Sequence, residues 1–181
     1  MKVTAVGRTD IGMKRNHNED NFLLVEDQSL FVVADGMGGH ACGEVASQMA
    51  VENLARFFKE TSENEETTWP FKEEKGLVYE ENRLTTAIKL ANLRIFESSS
   101  SDVKYRGMGT TMVAIVPDPA NALVHLAHVG DSRAYRMRAG RLELLTQDHS
   151  LANEVLELRP DLPEAEAARL PRNVITRALG M

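Results

Sequence analysis

The fold is organised around one stretch of sequence, LFVVADGMGG at residues 30–39. Its first five residues form a continuous apolar run, which predicts a short strand buried on both faces. Asp35 follows at once, and a strand cannot continue through the glycines that come next, so the chain must turn there. Because Gly36 has no side chain, its backbone carbonyl can approach an ion closely. The stretch therefore predicts a strand that ends in a carboxylate and an accessible carbonyl.

The segments around this stretch occur as runs of strands and runs of helices. The residues from Thr4 to Ala34 predict three short strands joined by turns. Apolar residues then recur at helical spacing over residues 46–58 and over Tyr79–Glu97, which predicts two helices. Four strands are predicted next, and helical pieces after them: Thr110–Val116, Ala122–Val129, Arg133–Met137, Leu142–Leu145, then a helix from Leu151 and a short piece over Pro163–Leu170. Such runs favour an antiparallel α+β architecture.

Composition and charge limit the class of protein. The 181 residues are 43% hydrophobic and 27% charged, which is ordinary for one domain with a sizeable core. The net charge of −6 argues against a nucleic-acid partner. No apolar run approaches the length of a bilayer, and the N-terminus lacks the apolar stretch of a signal peptide. The single cysteine, Cys42, excludes an internal disulfide. These features predict a cytoplasmic protein with no membrane partner.

Three acidic clusters lie at predicted strand ends or turns. They are RNHNED at residues 15–20, the Asp35-Gly36 pair, and GDSR at residues 130–133. Carboxylates at strand ends can converge on one rim of a sheet, where hard oxygen ligands suit Mg²⁺ or Mn²⁺. Arg15 lies five residues before Asp20, and its planar guanidinium matches two phosphate oxygens. Each cluster alone is weak evidence, because Asp-Gly is usually only a turn and the other two are also explained as solvated acids and a hairpin tip. Together they indicate a site for cations and phosphate.

An ordered set of motifs identifies a family that the chain resembles. The set is TDIG at 9–12 with Arg15 and NED at 18–20, ADGMGGH at 34–40, GMGTT at 107–111, VGDSR at 129–133, TQDHS at 146–150 and ITRALG at 175–180. It resembles the bacterial type 2C (PPM) metal-dependent protein serine/threonine phosphatases. The resemblance implies a single PPM-type domain over residues 1–181. It also implies a four-layer α/β/β/α sandwich of two antiparallel sheets flanked by helices, with a metal cleft at one end.

The resemblance also implies a role for individual residues. Asp35 matches the aspartate that bridges two metal ions, and Gly36 matches the residue that offers a backbone carbonyl to one of them. Asp20 matches an acid that helps to hold the pair, largely through ordered water. Asp131 matches an aspartate of a third metal site, and Arg15 matches the phosphate-binding arginine. The implied cofactor is therefore two or three ions of Mn²⁺ or Mg²⁺.

Three further expectations concern the general acid, the nucleophile and the flap. Some family members carry a histidine directly after the Asp-Gly pair, where this chain has Met37. His40 is expected to donate the proton to the leaving oxygen instead, and its alternative role is packing or capping at the start of the helix. Because the mechanism needs no phosphoenzyme, Cys42 is not required as a nucleophile. The residues at about 148–175 match the flap beside the active site, which influences substrate choice.

The implied reaction is hydrolysis of phosphoserine and phosphothreonine in proteins by a metal-activated water. The implied partners are phosphorylated proteins, including a serine/threonine kinase and its targets. The family pattern continues after residues 177–180 with an Asp-Gly and then an Asp-Asn motif, and neither is present in this sequence. We therefore expect a C-terminally incomplete sandwich with an unpaired sheet edge.

Two explanations of this departure stay open at the level of sequence. The chain is either a fragment of an active enzyme or an inactive phosphatase-like domain that acts as a phosphoprotein-binding or regulatory module. A plain metal-binding scaffold is a third class of protein compatible with the same residues.

Overall fold

An antiparallel sheet is the central element of the computed structural model, which describes residues 2–38, 42–63 and 68–181. Its strands are β1 Asp20–Val25, β2 Leu30–Met37, β3 Gly109–Thr110, β4 Met112–Asp118 and β5 Leu123–Val129. They lie in the order β1-β2-β4-β5, and β3 pairs with the end of β2. A single 3₁₀ turn joins β1 to β2, so these two strands form a hairpin.

Two long helices cover one face of this sheet. They are α1 at Gly43–Glu63 and α2 at Tyr79–Ser101, close to the two helices that the sequence predicts. Alternate residues of β2, such as Leu30 and Val32, are buried in the core that the helices share, whereas Val33 on the other face is 48% exposed. The prediction that β2 is buried on both faces is therefore wrong at Val33, because the described residues leave this part of the second face open.

A two-stranded hairpin forms the second antiparallel sheet. Its strands are β6 at Tyr135–Arg138 and β7 at Arg141–Leu144, and two left-handed residues, Ala139 and Gly140, make the tight turn between them. Two short helices follow, α3 at Leu151–Leu158 and α4 at Glu164–Ala167. The predicted α+β class, with two antiparallel sheets and flanking helices, is confirmed.

The first of the three strands predicted between Thr4 and Ala34 is absent from the structure. Residues 2–19 contain no strand, and Val6 in this segment is 97% exposed. A strand requires a neighbour to accept and donate its backbone hydrogen bonds, and no described segment lies in that position. The predicted strand Thr110–Val116 is also divided, because β3 ends at Thr110 and β4 begins at Met112.

The segment at residues 175–180 belongs to the core of the molecule. The backbone of Leu179 exchanges two hydrogen bonds with Thr110, at 3.1 and 2.9 Å, and its side chain is 3% exposed. The Gly180 amide donates to the side-chain oxygen of Asn92 in α2 at 2.9 Å. The ITRALG motif is therefore fixed between α2 and the start of the central strands. Within the described ranges, the search for a helix long and apolar enough to cross a bilayer finds none.

Candidate functional site

Asp20 and Asp35 lie directly opposite each other in the β1–β2 ladder. Opposite residues of an antiparallel pair project from the same face of the sheet, with their Cβ atoms about 4.5–5.5 Å apart. Here that face is the one away from α1, since Asp35 alternates with the buried Ala34. Like charges placed directly opposite each other destabilise a sheet. The arrangement therefore indicates a site that is completed by positive charge.

The two carboxylates line a cavity of about 330 Å³, together with Ser132 and residues of the segment 8–10. The pKa of Asp35 is raised from 3.8 to about 6, mainly by burial, and then by the charge of Asp20 and a hydrogen bond with it. Asp131 adds a smaller effect in the same direction, and Arg15 opposes the shift. In the absence of a cation, the pair therefore retains a proton up to about pH 6.

Gly36 allows the site to pack against the start of α1. Its amide donates to the carbonyl of Glu19 at 3.1 Å, which ties the end of β2 to the residue before β1. A Cβ atom at Gly36 would lie 2.0 Å from the carbonyl oxygen of Gly43 and 2.7 Å from that of Glu19. The glycine is therefore needed for close backbone approach. Coordination of an ion by its carbonyl stays a prediction.

Arg15 lies at the margin of the site, with its side chain 61% exposed. Its nearest acidic partner is Glu19, whose Oε2 lies 3.9 Å from Arg15 Nη1, and His17 lies 3.3 Å from the other oxygen of the same carboxylate. The exposed guanidinium is therefore accessible to an anion such as a phosphate group. His40 lies outside the described residues, so its expected role as general acid stays a prediction.

Thr111 connects the Asp35 strand to the Asp131 turn, and reasoning from the sequence missed it. Its hydroxyl accepts from the Asp35 amide at 3.1 Å and lies 2.6 Å from Ser132 Oγ, while its own amide donates to the Asp35 carbonyl at 2.9 Å. The side chain is 1% exposed. The GMGTT motif contains Thr111, but this motif was used only as part of the family resemblance and no role was predicted for the residue. The hydrogen bonds of Thr111 thus bring the predicted site residue Asp131 to the same end of the sheet as Asp35.

The segment at residues 146–150 is bound to the same turn. Arg133 makes a bidentate pair with Asp148, with Nε–Oδ1 at 2.9 Å and Nη2–Oδ2 at 2.6 Å. This guanidinium holds the pKa of Asp148 below its usual range. The His149 amide donates to the Gly130 carbonyl at 3.0 Å, and the Gly130 amide donates to His149 Nδ1 at 3.1 Å. The start of the predicted flap is therefore fixed beside Asp131.

The donors present fit one side of a divalent cation site. In the part of the chain that the structure describes, no three His, Cys, Asp or Glu side chains converge on one ion position. Asp20 and Asp35 nevertheless supply two hard carboxylate donors in contact, which is the donor chemistry that Mg²⁺ and Mn²⁺ prefer. The raised pKa of Asp35 is the effect expected of a carboxylate pair that lacks its cation.

Comparison with known sequences gives a consistent result. A family model described as Protein phosphatase 2C matches residues 12–179. The serine/threonine phosphatase stp of Listeria welshimeri is 40% identical over 182 residues, and the protein phosphatase PhpP of Streptococcus pneumoniae is 33% identical over 178 residues. The two alignments cover 96% and 95% of this chain. The chain spans 66% and 65% of the length of these relatives.

Comparison with solved structures agrees with the sequence matches. The crystal structure of the serine/threonine phosphatase PstP/Ppp of Mycobacterium tuberculosis has a TM-score of 0.73 and 33% identity, covering 96% of this chain and 66% of that one. A structure of the catalytic domain of PstP in complex with two manganese ions has a TM-score of 0.69 and 32% identity, with coverage of 96% and 65%. Fold and sequence similarity therefore extend over nearly all of this chain.

Proposed function

This chain belongs to the protein phosphatase 2C family, and we propose that it acts in the metal-dependent hydrolysis of phosphoserine and phosphothreonine in proteins. The observation that carries the proposal is the carboxylate pair of Asp20 and Asp35, which lie opposite each other with the pKa of Asp35 raised to about 6. Two such carboxylates at a sheet rim are suited to a divalent cation. The similarity to a phosphatase that binds two manganese ions supports the same assignment.

Each residue of the site has a role in this proposal. Asp20 and Asp35, with the carbonyl of Gly36, would hold the cations, and Asp131 would contribute to a further ion. Bound divalent cations acidify a water molecule for attack on phosphorus and neutralise charge on the phosphoryl oxygens. Arg15 donates to two phosphoryl oxygens through its planar guanidinium and so orients the substrate. The reaction uses water as the nucleophile, so no side chain needs to carry the phosphoryl group.

The proposal extends to the proton donor, the partners and the location. His40 protonates the leaving oxygen of serine or threonine. The substrates are phosphorylated proteins, with a serine/threonine kinase and its targets among the partners. The single cysteine is consistent with a cytoplasmic location. The ion is Mn²⁺ or Mg²⁺, since both take hard oxygen ligands.

Hydrolysis is tested with the purified chain, Mn²⁺ and two substrates, para-nitrophenyl phosphate and a phosphothreonine peptide. We expect turnover of both, and loss of about 100-fold or more in kcat/KM in Asp35→Asn because a carboxylate that would hold the cations is removed. The matched control is Asp27→Asn, an acid at the opposite end of the β1–β2 hairpin, which should retain the activity of the wild type.

Two outcomes would contradict the proposal. Binding of the phosphopeptide without turnover would favour a phosphoprotein-binding module. Binding of Mn²⁺ without either phosphopeptide binding or turnover would favour a metal-binding scaffold.

A further inference from the structure

The hydroxyl of Thr111 occupies a position between two parts of the site without lining the cavity. It accepts a hydrogen bond from the Asp35 amide at 3.1 Å and contacts Ser132 Oγ at 2.6 Å. Thr111 is 1% exposed, whereas Ser132 lines the cavity that also contains Asp20 and Asp35. A change at Thr111 would therefore act on the site through its neighbours.

The hydrogens of the two hydroxyl groups can be assigned by counting donors and acceptors. Thr111 Oγ1 already accepts from the Asp35 amide, and its own proton needs an acceptor because a buried hydroxyl rarely remains unpaired. Either hydroxyl could donate in the 2.6 Å contact between Thr111 Oγ1 and Ser132 Oγ, and we assign Thr111 as the donor because this direction leaves no buried proton unpaired. Ser132 then retains its own proton for another partner. The geometry directs a neutral hydrogen-bond donor toward the cavity.

The methyl group of Thr111 has a separate role. A Cβ atom placed on Gly130 would lie 2.7 Å from both Cβ and Cγ2 of Thr111, so the backbone before Asp131 packs closely on this side chain. Gly130 has a left-handed φ of 100°, which a glycine adopts readily. The methyl group therefore limits how near the turn can approach, and the hydroxyl group sets the hydrogen bonds.

We propose that Thr111 is a positioning residue and that Ser132 is a substrate-binding residue. Thr111 fixes the backbone of Asp35 and orients the Ser132 hydroxyl, and Ser132 donates a hydrogen bond to a phosphoryl oxygen in the cavity. A phosphoryl oxygen suits this donor because it carries negative charge and accepts hydrogen bonds. The assignment of the ligand as a phosphoryl group rests on the function proposed above.

Three variants separate these roles. Thr111→Val keeps the shape but removes the hydroxyl, Thr111→Ser keeps the hydroxyl, and Ser132→Ala removes the cavity donor. We measure Mn²⁺ affinity by isothermal titration calorimetry, and then the affinity for inorganic phosphate at saturating Mn²⁺. Thr111→Val should weaken Mn²⁺ binding about 10- to 100-fold, as is usual when a residue that orients a metal ligand is lost. Thr111→Ser should stay within about threefold of the wild type, because the hydroxyl that makes both hydrogen bonds is retained.

Ser132→Ala should separate ion binding from phosphate binding. We expect Mn²⁺ affinity within about threefold of the wild type and a loss of about tenfold in phosphate affinity, the usual effect of one hydrogen bond to a charged group. Unchanged phosphate affinity would overturn the role of Ser132. Unchanged Mn²⁺ affinity in Thr111→Val, or equal losses in Thr111→Val and Thr111→Ser, would overturn the role of Thr111.

Folding is checked by circular dichroism. If Thr111→Val does not fold, the remaining variants still decide. The proposal then requires Thr111→Ser to keep both affinities and Ser132→Ala to lose only phosphate affinity. Asp35→Asn distinguishes failure of the proposed function from failure of the inference about Thr111 and Ser132. A wild type that binds no Mn²⁺ contradicts both the proposed function and this inference. Mn²⁺ binding that is lost in Asp35→Asn but normal in Thr111→Val contradicts this inference alone.

Discussion

Asp35 is the residue in which fold and function conflict most directly. It lies opposite Asp20 in the ladder, and its pKa is raised to about 6 by burial and by that neighbour. In the metal-free protein above pH 6 both carboxylates are ionised and repel each other. The fold therefore tolerates at this position a local instability that a bound cation would remove.

Replacing Asp35 by asparagine should stabilise the metal-free protein while abolishing Mn²⁺ binding. The amide has nearly the same shape but no charge, so the repulsion from Asp20 disappears. We expect the Tm at pH 7.5 to rise by about 2–4 °C, or about 1 kcal/mol after allowance for solvent screening. Differential scanning fluorimetry with and without Mn²⁺ measures both effects. A lower Tm in the metal-free variant would show that Asp35 stabilises the fold.

Mn²⁺ binding should weaken at acid pH. Since the pKa of Asp35 is about 6, the carboxylate is mostly protonated at pH 5, and the cation must displace that proton. We expect the apparent affinity to fall about tenfold from pH 7 to pH 5 and to be nearly constant above pH 7. The stability of the metal-free protein changes with pH in the opposite direction to the Mn²⁺ affinity. The raised pKa means that the fold favours the protonated form, so the free energy of unfolding of the metal-free protein decreases as pH rises through 6. Calorimetric titrations at several pH values test the first trend, and equal affinities at pH 5 and pH 7 would contradict it.

Among the elements, β2 shows how far reasoning from the sequence can reach. The apolar run was sufficient to predict the strand, but the predicted turn directly after Asp35 is wrong, because β2 continues to Met37 and its last two residues pair with β3. The pairing of Asp20 with Asp35 was beyond prediction, because a period of two residues identifies a face and not a partner. Thr111 was missed for a similar reason. Two adjacent threonines have no local signal, and their hydrogen bonds are made to Asp35, which is distant in sequence.

The contact between β2 and α1 should be sensitive to a single methyl group. In Gly36→Ala the added Cβ would lie 2.0 Å from the Gly43 carbonyl oxygen, so the start of α1 must move. We expect a loss of about 1–3 kcal/mol in the free energy of unfolding and weaker Mn²⁺ binding. Gly76→Ala is the control. Its added Cβ would have no atom within 4 Å, so the substitution is strained only by the left-handed φ of 95°. It should cost about 1 kcal/mol and leave Mn²⁺ affinity intact. Equal effects of the two substitutions would contradict the role of this contact.

The pair of Arg133 and Asp148 should add to acid sensitivity. The hydrogen bonds from Arg133 lower the pKa of Asp148, so the stabilisation is present above the ordinary value of 3.8 and is lost as pH falls through the lowered pKa. We expect the Tm to fall less between pH 6 and pH 3 in Asp148→Asn than in the wild type. Glu143→Gln, in the exposed pair with Arg136, is the control and should behave like the wild type. An identical fall in Asp148→Asn and the wild type would contradict this role.

In the whole molecule, distant motifs converge on one end of the central sheet. Residues near positions 20, 35, 111, 132 and 179 meet there, although the sequence places them far apart. The ordered motifs were sufficient to predict the family and the two antiparallel sheets. The first of the three strands predicted between Thr4 and Ala34 is absent, because a local pattern does not reveal whether a partner strand lies beside it.

Leu179 should contribute to stability as a residue of the core. It is 3% exposed and paired with Thr110, so truncation leaves a cavity near the site. We expect Leu179→Ala to lower the free energy of unfolding by about 2–5 kcal/mol. Leu158→Ala, at a side chain that is 83% exposed, should change it by less than about 0.5 kcal/mol. Urea denaturation measures both, and similar small changes would show that the segment at 175–180 is only loosely attached.

The β1–β2 hairpin makes the site depend on residue count as well as residue identity. A shift of one position in its ladder would place Ala34 or Gly36 opposite Asp20 and would turn Asp20 toward the helices. During evolution, substitutions in the turn at 26–29 should therefore be accepted freely. Insertions and deletions between Asp20 and Asp35 should be rare unless they keep the register of the ladder, either as matched changes in both strands or as extra residues that loop out of it. The number of residues between these two aspartates should therefore be preserved even where the identity of the intervening residues changes.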